Sequence, residues 1–370
     1  MNTKTRHTGK KPANDRGFTL VELLVVITII GILAALITAA GVGALKTAQR
    51  SRIKVEINQI DMALQTFKDT YQSYPTNCQV DGTGTTNPLL ESQVLTDLKR
   101  QFKQAFPKSR EPDFLIAALA GLTPAGALLP NSENLQGGMS AGESLVFWLG
   151  GFSSDPKYPI SGEGGPAYPI QALGGPDNNT LDPIESRKWV FPFDVARLRP
   201  RTADNFFDAS DKRFIEYTVT IPGQNNNQPQ LRRINFWQYV PAKSEQPYLY
   251  FDTSRHPAAV VNGMDVSGPF DPPAAAAPNP NALHVHAVKM RSESAADNSP
   301  IQFANKDKFQ ILHAGTDEEW GEAEFERMSV HEIGSKVPND YLLFPDGPFT
   351  GDVADTIVNF SEGTLEASQP

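Results

Sequence analysis

Hydrophobic and polar positions divide the first part of the chain into stretches of different rhythm. From Leu23 to Leu45 no side chain ionises, and apolar residues follow one another without a period. At ~1.5 Å per helical residue, such a stretch crosses most of a ~30 Å hydrocarbon core, so a membrane-spanning helix is expected. From Ile53 the rhythm changes. Ile53, Ile57, Ile60, Leu64, Phe67 and Tyr71 alternate spacings of four and three, which places them on one stripe of a helix, a seam for a packed domain. Lys54, Glu56, Asp61, Gln65 and Lys68 are assigned to the opposite face. No proline falls between Phe18 and Tyr74, and Pro75 supplies a stop. One helix over residues 18–74 is therefore allowed, transmembrane over 18–45 and amphipathic over 46–74. Gly41 and Gly43 are its weak points, each costing about 0.5–1 kcal/mol relative to alanine.

After Pro75 the pattern predicts helices first and strands later. Ser92 is placed as the cap of a helix whose Val94, Leu98, Phe102 and Ala105 share a face, ending before Pro107. Pro112 opens a short apolar helix through Leu119, closed by Gly121. Ser140 and Glu143 form a capping-box pattern ahead of Leu145 to Leu149, and Gly150-Gly151 ends that helix. Residues 152–185 are rich in Gly, Pro, Asp and Asn and read as surface loop. Ile215, Tyr217, Val219 and Ile221 then alternate with polar residues as a half-buried strand does. Further strands are expected at 234–240, 248–252, 283–290 and 309–314, with a proline- and alanine-rich loop over 268–280. The fold class is thus α+β: a long N-terminal helix followed by one elaborated globular domain over 75–370, with an antiparallel sheet and a large insertion.

Charge sharpens this picture. Lys4, Arg6, Lys10, Lys11 and Arg16 oppose a single Asp15 ahead of the apolar span, which predicts a cytoplasmic leader over residues 1–17. Lys46, Arg50, Arg52 and Lys54 follow the span, so charge asymmetry alone fixes the orientation weakly. Without residues 1–17 the formal net charge moves from −9 to −13, which argues against nucleic acid as the main partner. Cys78 is the sole cysteine, so no intrachain disulfide can form, and it reads as a buried small hydrophobe in preference to an intermolecular contact.

Two positions near the span carry chemistry. A glycine at position 17 lets the backbone lie close to a protease, and the plausible cleavage point precedes the apolar region rather than following it. Glu22 is a carboxylate in an apolar helix, a placement costing about 2.5–3.5 kcal/mol at a bilayer centre and less near an interface. It is either an acid snorkelling to the headgroups or a partner for an ammonium group.

Gly17-Phe18-Thr19-Leu20 followed by Glu22 resembles the signal of type IV prepilins and type II secretion pseudopilins. The resemblance implies cleavage by a prepilin peptidase between Gly17 and Phe18, methylation of Phe18, and pairing of the new Phe18 amine with Glu22 of an adjacent subunit. It further implies other pilin-like subunits, an assembly ATPase, an inner-membrane platform and an exported body anchored in the inner membrane. The stretch 63–69 with Tyr74-Pro75-Thr76 resembles the end of the long helix in major pseudopilins, which commonly hold a proline where Ala39 stands. The resemblance covers about residues 16–76 and, more weakly, the C-terminus. There, 309–317 resembles a late strand and loop in which calcium ties the loop to a later acidic segment. Carried over, Asp317 and Asp355 are the calcium candidates, with Glu318 standing in place of the usual glycine. The expected function is a non-enzymatic filament subunit. The alternative is a membrane-tethered minor subunit acting as an adhesin or substrate-binding protein at low copy number.

Other chemistries find little support. His284 and His286 share a strand face, with His313 and His331 downstream, but no recognised zinc set is completed. Ser140 with Glu143 is better explained as a cap than as a nucleophile pair, and no phosphate loop or CxxC pair occurs.

Overall fold

A computed structural model describes residues 19–76, 88–127, 129, 135, 138–170, 187–200, 213–254, 260–261, 264–265, 270–271, 285–291, 301–320 and 343–370. The chain divides into two units, residues 1–49 and residues 50–370. Helix α1 runs Leu20–Tyr71, and helical pairing continues through Gly41 and Gly43. In the second unit follow α2 (Pro88–Ala105), α3 (Asp113–Leu119) and α4 (Ala141–Leu149). Ser92 lies inside α2, whose first residue is Pro88, so the expected cap at Ser92 is not one. Proline suits a helix start because the N–H it lacks would have no helical partner there. Pro112 is the N-cap of α3, and Gly121 follows at φ +67°, a conformation that suits glycine. At α4 the capping box is present in full. Ser140 N donates to Glu143 Oε2 at 2.8 Å and Glu143 N donates to Ser140 Oγ at 3.2 Å.

Among the described residues the paired strands are antiparallel, in keeping with the α+β reading, and one isolated parallel bridge joins Met290 and Phe344. Gln230–Asn235 lies between Phe214–Val219 and Tyr168–Pro169, with Ile215 opposite Ile234 and Tyr217 opposite Arg232. Gln310–His313 lies between Leu249–Phe251 and Ile357–Val358. The strand expected over 234–240 is two pieces, Gln230–Asn235 and Gln238–Tyr239, the second pairing with Leu198–Arg199. Similarly, 283–290 holds two short pieces, Val285–His286 and Lys289–Arg291. An apolar run does not show where a buried chain changes partner.

Two apolar clusters fill the unit. The larger joins Ile53, Ile57, Ile60, Leu64 and Phe67 of α1 to Leu98 and Phe102 of α2, to Trp148 of α4, and to Ile215 and Ile234. Phe67 meets Trp148 edge-on with ring centroids 5.9 Å apart, and Trp148 Nε1 donates to Thr76 O at 3.2 Å. The smaller gathers Leu249, Phe251, Phe303, Leu312, Trp320, Phe349 and Val358. Phe147 and Trp148 are thus core residues.

Candidate functional site

In the first unit the apolar span is a helix with large hydrophobic side chains exposed at consecutive positions, from Leu23 through Ile27. Five successive residues go well past one turn, so apolar surface faces every direction around the axis. A helix apolar all round belongs in a core or a membrane, and among the described residues of its own unit none covers this one. At its start Thr19 N and Thr19 Oγ1 both donate to Glu22 Oε2 at 2.9 Å, and Glu22 N donates to Thr19 Oγ1 at 3.2 Å. This is a second capping box, with Thr19 as cap and Glu22 as the third helical residue. The local pattern Thr-x-x-Glu carries that signal, which the reading of Glu22 as an assembly residue passed over. Gly17 and Phe18 lie outside the described residues, as does Cys78.

In the second unit the stripe on α1 behaves as its spacing predicts, with Ile57, Ile60, Leu64 and Phe67 fully buried. Its polar flanks correct the assignment to an opposite face. Glu56 lies three residues after Ile53 and four before Ile60, so it belongs at the stripe's edge. Its Oε1 accepts from Arg197 Nη1 at 2.7 Å and from the Tyr239 hydroxyl at 3.0 Å. Its Oε2 accepts from Arg197 Nη2 at 2.5 Å and from the Tyr248 hydroxyl at 2.6 Å. Burial disfavours this carboxylate's charge, but the guanidinium and the two hydroxyls outweigh it, holding Glu56 below the usual carboxylate range. Arg197 also lies over the Tyr239 ring, 4.4 Å from its centroid. Lys54 Nζ donates to the carbonyls of Val358 (2.7 Å) and Ser361, and Asn359 Nδ2 donates to Asp61 Oδ2 at 2.9 Å. Only Gln65 and Lys68 of the five polar residues face solvent.

The loop after Gln310–His313 is pressed onto Asp355. Thr316 N and Thr316 Oγ1 donate to Asp355 Oδ2 at 2.6 and 2.7 Å. Gly315 has φ +105°, and a Cβ there would meet Asp355 O at 2.4 Å, so both conformation and space call for glycine. Asp355 Oδ1 forms an ion pair with Arg50 at 2.6 Å. Asp317 lies at the exposed edge, and its Oδ1 accepts from Glu319 N at 3.2 Å. Partial burial, with the charges of Asp355 and Asp352, pushes the Asp317 carboxyl up. Glu318 has φ +65°, the left-handed conformation that favours the glycine it replaces. Among the described residues no three His, Cys, Asp or Glu side chains converge on one point.

Among the described residues the histidines assemble no metal centre. His284 and His331 lie outside the described residues, as does the side chain of His286. His313 is fully buried; its Nδ1 accepts from Gly315 N at 3.0 Å and its Nε2 lies 3.2 Å from Gln246 O. Desolvation pushes its pKa down to about 4, so the neutral ring serves the loop as a two-ended hydrogen-bonding strut.

The description "Prokaryotic N-terminal methylation motif" matches residues 12–38, which include Gly17, Phe18 and Glu22. In that segment the chain resembles type IV pilin-like proteins. The chain is 39% identical over 66 residues to the type II secretion system core protein G of Klebsiella michiganensis, 18% of this chain and 46% of that protein. The same-named proteins of Pectobacterium carotovorum subsp. carotovorum and Escherichia coli (strain K12) are 35% and 39% identical over 71 and 65 residues, covering 19% and 18% of this chain and 46% and 45% of theirs. The chain therefore spans a little under half the length of these curated relatives. No solved structure matches it. The span and the relatives together support a membrane-anchored pseudopilin-like protein with a globular body.

Proposed function

We propose that this chain is a structural, non-enzymatic subunit of a type II secretion pseudopilus or a type IV pilus-like filament. The observation that carries this reading is the helix around Glu22: apolar on every face, carrying a single acid at its start, within a matched methylation motif. A prepilin peptidase cuts between Gly17 and Phe18 on the cytoplasmic side of the inner membrane, leaving the body exported. The platform and its ATPase then extract the helix, which packs against other pilin-like subunits. The cap at Thr19 fits this chemistry, because Glu22 Oε2 is engaged by its own turn while Oε1 stays available to a neighbour's Phe18 ammonium.

Mass spectrometry of the exported protein is expected to find N-methylated Phe18 as the first residue. Glu22→Leu is expected to insert normally and assemble poorly, while normal filaments at normal abundance would remove the pairing. Binding calcium at the Asp317 loop is a further part of the proposal. It is supported by the charges of Asp355 and Asp352 acting on Asp317, which a divalent ion would relieve, with backbone carbonyls supplying the remaining oxygens. Arg50 is the rival cation at Asp355. At ~100 times its dissociation constant calcium adds about 2.7 kcal/mol of stability, read as a raised melting temperature that chelator or Asp317→Ala abolishes. An unchanged melting temperature would leave Arg50 as the loop's counter-charge among the described residues.

A further inference from the structure

The C-terminal segment 355–361 is tied to α1 at three points, all within the second unit. Arg50 meets Asp355, Lys54 Nζ donates to the carbonyls of Val358 and Ser361, and Asp61 Oδ2 accepts from Asn359 Nδ2. Spacings of four and seven put Arg50, Lys54 and Asp61 on one side of the helix. Ile357, from the middle of the segment, belongs to the larger apolar cluster together with Ile53 and Ile57. The segment is thus a strap with an apolar centre and polar fastenings.

The fastening at Asp355 differs from the others. Asp355 is 8% exposed, and Thr316 takes its Oδ2. Its buried Oδ1 lies 2.6 Å from Arg50 Nη2 yet accepts no hydrogen bond, so the guanidinium supplies charge there without an aligned N–H. The adjoining Thr356 Oγ1, also buried, has no hydrogen-bond partner either. A buried carboxylate oxygen in that state is under-satisfied, and a better-placed cation gains by engaging it. The Arg50 side chain is 47% exposed, so it returns to water at little cost. Arg197 on Glu56 is the contrast: it donates from both Nη atoms, at 2.7 and 2.5 Å, and its side chain is 19% exposed. One pair is a fixed fork and the other a loose contact. The same Asp355 carboxylate reaches the loop that carries Asp317, on which its charge acts. A divalent cation shared by Asp317 and Asp355 would stand beside a guanidinium on one carboxylate. Two cations on one buried carboxylate repel, the more strongly where water is excluded.

We propose that Arg50 is a displaceable counter-ion: it competes with a divalent cation at the Asp317 loop for Asp355, so that loading the loop unties the start of the C-terminal strap from α1. This inference rests on the calcium reading of that loop and adds its regulation by the long helix. Whatever factor Arg50 takes from the cation's affinity, the cation takes from Arg50's hold on Asp355. The test is isothermal titration of calcium chloride into the full chain in detergent, with melting followed in parallel. Arg50→Gln is expected to bind calcium at least fivefold tighter than the native chain, and binding by Arg50→Gln alone is the limiting case of that result. Arg52→Gln, which removes an equal charge from an exposed position two residues on, should stay within twofold of the native affinity. In chelator Arg50→Gln is expected to melt below the native chain, and saturating calcium to close that gap. Arg50→Gln/Asp317→Ala is expected to bind no calcium. Equal or weaker binding in Arg50→Gln, or equal tightening in Arg52→Gln, would overturn the competition and leave the calcium reading standing. Undiminished binding in Arg50→Gln/Asp317→Ala would place the ion elsewhere and overturn both. Absence of saturable binding in every chain would likewise remove the calcium reading and this inference with it.

Discussion

Two regions of α1 share one backbone geometry and opposite treatment of their side chains. Between residues 20 and 45, Leu33 and Ile37 are 52% and 71% exposed, and apolar residues point in every direction. Between residues 53 and 71 the apolar positions form one stripe, and Ile57, Ile60 and Leu64 are at 0%. The first region has no partner among the described residues of its own unit and is suited to lipid or to other helices. The second is solved within its own domain, with polar residues flanking a dry seam. The difference teaches that hydrophobic periodicity, rather than hydrophobicity, distinguishes a helix that docks on a sheet from one that meets a bilayer.

Substitutions on the two sides should separate these roles, and the largest effect belongs to the seam. Phe67→Ala empties a fully buried site against Trp148, so a loss of about 3–5 kcal/mol is expected in denaturant melting, with membrane insertion unchanged. Leu33→Arg places a charge in the span, at about 2.5–3.5 kcal/mol by insertion scales. Its expected outcome is reduced membrane integration in a fractionation assay, with the melting of the globular body unaltered. If Phe67→Ala blocked insertion, or Leu33→Arg melted the body, the division of labour within α1 would fail.

A smaller effect tests the polar edge of the seam. Glu56→Gln removes the charge that Arg197 and two tyrosines were placed to meet, at about 1.5–3 kcal/mol. Because the folded carboxylate titrates below its unfolded value, its contribution is fully present above about pH 4.3 and is lost as pH falls through the folded pKa. Acid melting of Glu56→Gln should therefore show a shallower fall below that pH than the native chain. The smallest effect is expected at Val55 and Met62, which are 56% and 59% exposed on the same helix. Replacing either by Ser should change stability by no more than about 0.5 kcal/mol. A larger loss would mean that this face is covered in the folded chain.

The parts of the fold visible in the sequence are those encoded by near neighbours. The stripe from Ile53 to Phe67, the cap at Ser140 and Glu143, and the alternation from Ile215 to Val219 each depend on residues within a few positions of one another. The same locality made Thr19-x-x-Glu22 readable as a cap, and the assembly interpretation overshadowed it. Asp355 was reached through the family resemblance, but its contact is with Thr316 and Arg50, and no local pattern names either. The left-handed backbone at Glu318 was foreshadowed by the glycine that the resemblance puts there.

By itself, the sequence determined an uncharged span long enough to cross a membrane, a cleavage-like motif ahead of it, and an α+β body seated on an amphipathic continuation of the helix. Periodicity and composition suffice for these, because each follows from helix or strand geometry along a single segment. Tertiary structure alone decided that Glu56 meets Arg197, 141 residues away, together with Tyr239 and Tyr248. It alone decided that Arg213 finds Glu143 while Arg232 is buried with no acid paired to it among the described residues. Pairings across such distances are chosen when whole elements pack, where desolvation makes a matched charge tolerable and an unmatched one costly, and no local rule of spacing records the choice.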